Sequence, residues 1–159
     1  AIQFLLKKVA SDNIKVTLIC SPEKYAKLDD LIGKSKLAGW IDYTKDQDFP
    51  DLQADVLMDL VGDNAGVRAL STLKSGGRVK VLPTIWVDKL KDAGSNKNLS
   101  VDGYAVKPNG EDMAKVLQDV ADGTLILKIQ QTYPLSEVVT AHRELEKGDT
   151  FGKIVLKAS

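Results

Sequence analysis

The sequence contains one cysteine and one histidine in 159 residues. A single cysteine excludes an internal disulfide framework and fits a reducing compartment. One cysteine and one histidine cannot together furnish a zinc site of the usual four-ligand kind. Net charge is absent as well: 22 Lys and Arg balance 22 Asp and Glu, so no global field draws the chain to nucleic acid or to an anionic membrane. No apolar run approaches the roughly 20 residues of a membrane helix, and the first residues lack a signal-peptide pattern. No internal repeat or low-complexity segment interrupts the chain. What remains is an ordinary globular composition, 43% hydrophobic and 28% charged, long enough to bury a sizeable core. These features predict a soluble α/β domain of the cytoplasm.

The best-defined stretch is Ala54–Pro83, ADVLMDLVGDNAGVRALSTLKSGGRVKVLP. Val56, Leu57, Met58, Leu60 and Val61 form a near-continuous apolar run, predicting a strand covered on both faces by helices. Gly62 ends it, and Asn64 is the predicted N-cap of a helix with Val67, Leu70 and Leu73 on one stripe. Gly76-Gly77 stops that helix, and Arg78–Leu82 returns as a Val-rich strand. Strand, helix and strand in about thirty residues make one right-handed crossover with parallel strands.

Around this unit, Ala1–Ser11 reads as a helix with Ile2, Leu5, Leu6 and Val9 on one face. Lys15–Cys20 reads as a strand, and Ser21-Pro22 as a helix start with Ser as N-cap and Pro in the first turn. Tyr25, Leu28, Leu31 and Ile32 give that helix an apolar side ending at Gly33, and Leu37–Tyr43 is a third short β run. Asp46–Gln53 is a polar connector broken at Phe49-Pro50. Thr84–Asn98 has an amphipathic middle, Leu99–Val106 is extended, and Glu111–Asp122 is a helix through Met113, Val116, Leu117 and Val120. Leu125–Ile129 reads as a strand, Ser136 caps a helix carrying Val138, Val139, Ala141, His142 and Leu145, and Lys153–Leu156 is the last strand.

The stretch DVLMDLVGDNAGVRALSTLKSGGRV resembles the cofactor domain of the medium-chain dehydrogenase/reductase superfamily, and most closely its zinc-free quinone-oxidoreductase branch. LAGWIDY is similar to the piece that closes the first half of that nucleotide fold. DGTLILKI followed by YPLSEVVTAHRELEKGDTFGKIVL resembles the segment that leaves the cofactor domain and rejoins the substrate domain. The likeness covers nearly the whole chain and is weakest over Thr84–Asn98. It implies a Rossmann-type doubly wound parallel sheet, with residues 1–128 as an incomplete NADP(H)-binding domain and residues 129–159 as the return to a substrate domain.

A dinucleotide fold begins with a strand running into G-x-G-x-x-G, and no such motif occurs here. The opening helix resembles the one that follows those glycines, so a fragment of a longer chain is expected, without the first strand and glycine-rich loop. That strand would lie between Lys15–Cys20 and the VLMDLV strand, leaving two edges about 9.6 Å apart. A sheet so gapped is expected to self-associate when expressed alone.

Several residues could carry chemistry. Cys20-Ser21 stands where NAD-specific folds place a carboxylate for the ribose 2′-hydroxyl. Ser21 and Lys24 could instead hold a 2′-phosphate, through a hydroxyl, helix N–H groups and an ammonium. By resemblance, Tyr43 flanks the same phosphate. The plain alternative is a helix cap, a solvated lysine and a packed aromatic. Val61-Gly62 ends a central strand, where ligands bind in open α/β sheets, and Pro83 and Thr84 by resemblance lie near the nicotinamide. His142 has no Ser/Asp arrangement around it in the sequence and reads as a structural helix residue, and Cys20 as a small buried hydrophobe.

By resemblance the intact protein is an NADPH-dependent oxidoreductase, a homodimer that transfers hydride to a small-molecule quinone or α,β-unsaturated carbonyl, with no metal. Two alternatives stay open: a non-catalytic nucleotide-binding or regulatory module of the same fold, and half of a zinc-type alcohol dehydrogenase.

Overall fold

The structure is a computed structural model that describes residues 2–45 and 48–158. Ala1 at the predicted start of the first helix, the Val9 side chain of its stripe, and Asp46 in the predicted connector lie outside the described residues. In chain order the elements are α1 (Ile2–Asp12), β1 (Thr17–Cys20), α2 (Pro22–Ala26), β2 (Gly39–Asp42), β3 (Ala54–Asp59), α3 (Asp63–Ala69), β4 (Leu73–Val81), α4 (Val87–Gly94), β5 (Ser100–Gly103), α5 (Gly110–Ala121), β6 (Ile129–Pro134), α6 (Val138–Glu146) and β7 (Lys153–Lys157). Short 3-10 turns join several of them. Two compact units result, Ala1–Trp40 with Asn109–Ser159, and Ile41–Pro108.

In the second unit β3, β4 and β5 form a parallel sheet in that order, with Leu57 opposite Val79 and Val79 opposite Val101. Both connections are helical crossovers of the same sense, so α3 and α4 fall on one side of the sheet. The core on that side is Leu70, Leu73, Val79, Val81, Leu90 and Val101, with Leu57, Val67, Trp86 and Val87 packed against it. The opposite side is open: Val56 is 48% and Met58 43% exposed. The expectation of a strand covered on both faces is therefore corrected: among the described residues of this unit, the helices packed against β3 lie on the Leu57 side.

Two further readings change in this unit. Gly76-Gly77 does not end a helix; both glycines lie inside β4, where the pairing skips between Leu73 and Arg78 and Gly76 has φ 71°. The irregular stretch needs residues that tolerate positive φ. Asn64 is not the N-cap of α3, since Gly62 holds that position without a side-chain cap.

β1 pairs with β2 in a two-stranded sheet, and the first unit has a parallel β6–β7 pair and a core of Leu6, Leu28 and Ile32 with Leu18, Tyr25, Leu37 and Phe151 around it. Among the described residues β1 and β3 belong to different sheets. The helix expected from Pro22 to Ile32 stops after five residues and tightens into a 3-10 turn over Lys27–Asp30, a usual way for a helix to end. Leu125–Ile129 is not a strand. The Gln3 amide donates to the Ile126 carbonyl (2.9 Å) and accepts from its N–H (2.8 Å), so both backbone groups that a ladder would use are taken by a side chain. Regular pairing begins only at Ile129. Ser136 lies in a 3-10 turn ahead of α6 and does not cap it.

Candidate functional site

In open parallel sheets the carboxyl ends of the strands are the functional edge. At the end of β3 the buried Asp59 organises the turn: its Oδ1 accepts from the N–H groups of Val61 (3.0 Å) and Gly62 (2.9 Å). Among the described residues its Oδ2 has no hydrogen-bond partner. The Asp59 carbonyl accepts from Leu82 N–H at 2.9 Å, which ties the ends of β3 and β4 together. Val61, Gly62, Pro83 and Thr84 thus gather at one edge of the second unit, as their places after two adjacent parallel strands require.

Gly62 has φ 78°, and a Cβ there would lie 2.1 Å from Trp86 Cδ1. The side of the glycine expected to admit a cofactor is thus filled by an indole. Its N–H goes to Asp59, and its carbonyl accepts from Gly66 N–H. Lys89 Nζ lies 5.4 Å from the Trp86 ring centroid and donates to Asp63 and Asn64 side chains. Val61 is among the most exposed apolar residues of this edge.

Tyr43 follows β2 on a turn held by Asp42, whose Oδ1 accepts from the Thr44 N–H (2.9 Å) and hydroxyl (2.6 Å). The Thr44 hydroxyl, with help from its N–H and from Lys45, holds the Asp42 carboxyl below the ordinary aspartate value. The Tyr43 side chain is 39% exposed. Its carbonyl accepts from Arg68 Nη1 at 3.0 Å.

In the first unit, Ser21 caps α2 as expected, its Oγ accepting from Lys24 N–H at 3.4 Å. The Lys24 ammonium reaches the Gly148 carbonyl at 3.4 Å. Beside them Tyr25 stacks on Trp40, with centroids 4.3 Å apart and planes 6° off parallel, and Trp40 Nε1 donates to the Cys20 carbonyl at 3.0 Å. His142 is an exposed residue of α6. Sequence reasoning missed Asp59, Arg68 and Trp86. The Asp three residues before Gly62 was the one local signal, since Asp accepts from backbone N–H groups two and three residues on.

Parallel strands joined by helical crossovers, with turns gathered at their carboxyl ends, define the Rossmann-type nucleotide-binding architecture. The sequence matches the zinc-binding dehydrogenase family over residues 38–156, and the chain belongs to that family, within the medium-chain dehydrogenase/reductase superfamily. Solved structures share the fold. A quinone oxidoreductase from Coxiella burnetii is 24% identical with a TM-score of 0.77, over 99% of this chain and 58% of that one. An NAD-dependent alcohol dehydrogenase is 20% identical with a TM-score of 0.67, over 99% and 57%. A thermostable alcohol dehydrogenase from Pyrobaculum aerophilum is 19% identical with a TM-score of 0.63, over 97% and 46%. The chain thus spans less than three fifths of the length of each of these relatives. No curated protein matches the sequence.

The family name raises the question of zinc. Among the described residues no three His, Cys, Asp or Glu side chains gather as metal ligands, and Cys20 and His142 stand on separate elements. These residues do not fit a zinc site. No described helix is long and apolar enough to cross a membrane.

Proposed function

We propose that the chain is the cofactor-binding part of an NADPH-dependent oxidoreductase acting on a quinone or an α,β-unsaturated carbonyl. Membership of a dehydrogenase family supports a nicotinamide cofactor, which supplies the hydride when bound. The choice of NADPH rests on one observation: β1 ends at Cys20 with no carboxylate until Glu23, and the same turn presents the Ser21 hydroxyl and the Lys24 ammonium. An acidic residue there would accept from a 2′-hydroxyl and repel a phosphate, whereas a hydroxyl and a cation suit a phosphate. Ser21 and Lys24 hold the 2′-phosphate in this reading. Pro83 and Thr84 lie near the nicotinamide in this reading, and Val61 and Gly62 belong to the same ligand-binding strand edge, with Trp86 filling the space beside Gly62. Residues 1–128 are the NADP(H)-binding part, and residues 129–159 lead back to a substrate domain. The intact enzyme is a cytoplasmic homodimer.

The Lys24–Gly148 contact favours a second reading, in which Lys24 only ties α2 to the turn after α6. Calorimetric titration of the intact protein separates the two. Losing one charge-assisted contact costs roughly 1.5–3 kcal/mol, or about 10- to 150-fold in affinity. Lys24→Ala is expected to weaken NADPH by that order and to leave NADH nearly unchanged. Equal losses for both cofactors would assign Lys24 to the fold and remove the ground for preferring NADPH.

A further inference from the structure

We propose that Trp40 is a positioning residue that holds Ser21 and Lys24 in place for the 2′-phosphate and so favours NADPH, an inference that rests on the NADPH reading above. All three residues belong to one compact unit. Trp40 lies in β2, which pairs with β1, and its indole touches the chain on both sides of Ser21 and Lys24. Ahead of Ser21, Nε1 donates to the Cys20 carbonyl at 3.0 Å. After Lys24, the Tyr25 ring stacks on the indole, with centroids 4.3 Å apart and planes 6° off parallel. The Ser21–Lys24 turn is thus bracketed by a single side chain.

The hydrogen bond does something that core packing does not. Cys20 and Tyr25 pack against Leu6, Leu28 and Ile32, which places their side chains but not the plane of the Cys20–Ser21 peptide. A peptide is planar, so the indole N–H that fixes the Cys20 carbonyl also fixes the Ser21 N–H and the direction in which the Ser21 side chain leaves. Ser21 is extended there (φ −68°, ψ 155°). Its Oγ accepts from Lys24 N–H at 3.4 Å and its carbonyl from Tyr25 N–H at 2.9 Å. A hydroxyl that accepts from an N–H keeps its own proton to donate to a phosphate oxygen. The Tyr25 ring is steadied a second time by Lys34, whose Nζ lies 4.9 Å from its centroid and donates to the Ala26 carbonyl at 3.2 Å. That ammonium also pairs with Asp29 at 2.9 Å, so its charge is committed. The Lys24 ammonium meets the Gly148 carbonyl at 3.4 Å, a long contact that an incoming phosphate can displace.

The test is calorimetric titration of NADPH and NADH against Trp40→Phe, Lys24→Ala, Ser21→Gly/Lys24→Ala and Ser21→Gly/Lys24→Ala/Trp40→Phe in the intact protein. Trp40→Phe keeps a flat ring on Tyr25 and removes the N–H donor. It is expected to weaken NADPH roughly 3- to 10-fold, with NADH changed less than about twofold. With Ser21 and Lys24 both replaced nothing is left to position, and Trp40→Phe is expected to add less than about twofold. The indole N–H resonance of Trp40, assigned by its loss in Trp40→Phe, reports the same bond in the unmutated protein. Saturating adenosine 2′,5′-bisphosphate is expected to shift it, and adenosine 5′-monophosphate to leave it in place. Equal weakening of both cofactors in Trp40→Phe, a full further loss in the triple variant, or a resonance that both nucleotides move alike or neither moves, would overturn the assignment and leave Trp40 a structural residue. Unchanged NADPH affinity in Trp40→Phe, beside a clear loss in Lys24→Ala, would also overturn it while sparing the NADPH reading. Unchanged NADPH affinity in Lys24→Ala and in Ser21→Gly/Lys24→Ala would overturn the NADPH reading itself.

Discussion

Replacing Gly62 with alanine tests how the edge at the end of β3 is built. Two costs are written into its geometry. The backbone sits at φ 78°, ψ −159°, a region that L side chains rarely enter, and holding one there costs about 1–3 kcal/mol. The new methyl would also lie 2.1 Å from Cδ1, 2.7 Å from Cγ and 2.8 Å from Nε1 of Trp86. The indole must move, and overpacking of this kind costs about 1–3 kcal/mol more. Gly62→Ala is therefore expected to destabilise the protein by about 2–6 kcal/mol in urea titration followed by circular dichroism.

Gly76 is the internal control. Its φ is 71°, but a Cβ there meets nothing within 4 Å, so Gly76→Ala should show only the strain, about 1–2 kcal/mol. Removing the indole should relieve the clash alone: in a Gly62→Ala/Trp86→Ala cycle the coupling is expected at about 1–3 kcal/mol. A Gly62→Ala cost below about 1 kcal/mol, or a cycle with no coupling, would refute the view that Trp86 dictates glycine at this position.

Two other predictions rest on side-chain caps. Asn109 Oδ1 accepts from the N–H groups of Glu111 and Asp112, so Asn109→Ala should cost about 1 kcal/mol of stability by denaturant titration. Asp42 titrates below the ordinary aspartate value of 3.8, chiefly because the Thr44 hydroxyl donates to it. A depressed folded-state value means that its contribution is fully present above pH 3.8 and is lost as pH falls through the lower folded value. Amide exchange at Thr44 should accelerate in that acid window, and Asp42→Asn should flatten the dependence.

Much of the local structure was legible, and the reason is short range. Ser21 capping α2 is set by residues within one turn. The parallel crossover from β3 through α3 to β4 also held, although Asn64 and Gly76-Gly77, which the sequence set as its helix boundaries, do not bound α3. What stayed hidden depends on partners far along the chain. Arg68 finds the Tyr43 carbonyl 25 residues away, and Gln3 takes the backbone of Ile126 across 123 residues. The second of these changed a strand assignment, because a short, mostly apolar stretch cannot announce that its ladder groups will be captured by a distant amide. Trp86 filling the space beside Gly62 is a case of the same kind: the glycine was visible, and its reason lay on another element.

The apolar pattern was misread in a more instructive way. Periodicity records which side chains favour cover, not whether one element supplies it on each face. On β3 the alternation placed Leu57 and Asp59 under α3 and α4, as the crossover sense demands, and left Val56 and Met58 open. On α5 the stripe through Met113 and Leu117 specified the helix correctly, yet those two side chains are 58% and 62% exposed. Helix formation there draws on the Asn109 cap and on strong helix formers, and those need no apolar partner. The pattern therefore fixed the kind of element in both places while leaving its burial undetermined. The turn carrying Tyr43 inverts the lesson. Its flanking connector is polar by composition but contains the buried Phe49, and that one aromatic is covered by the Arg68 guanidinium that also holds the Tyr43 carbonyl.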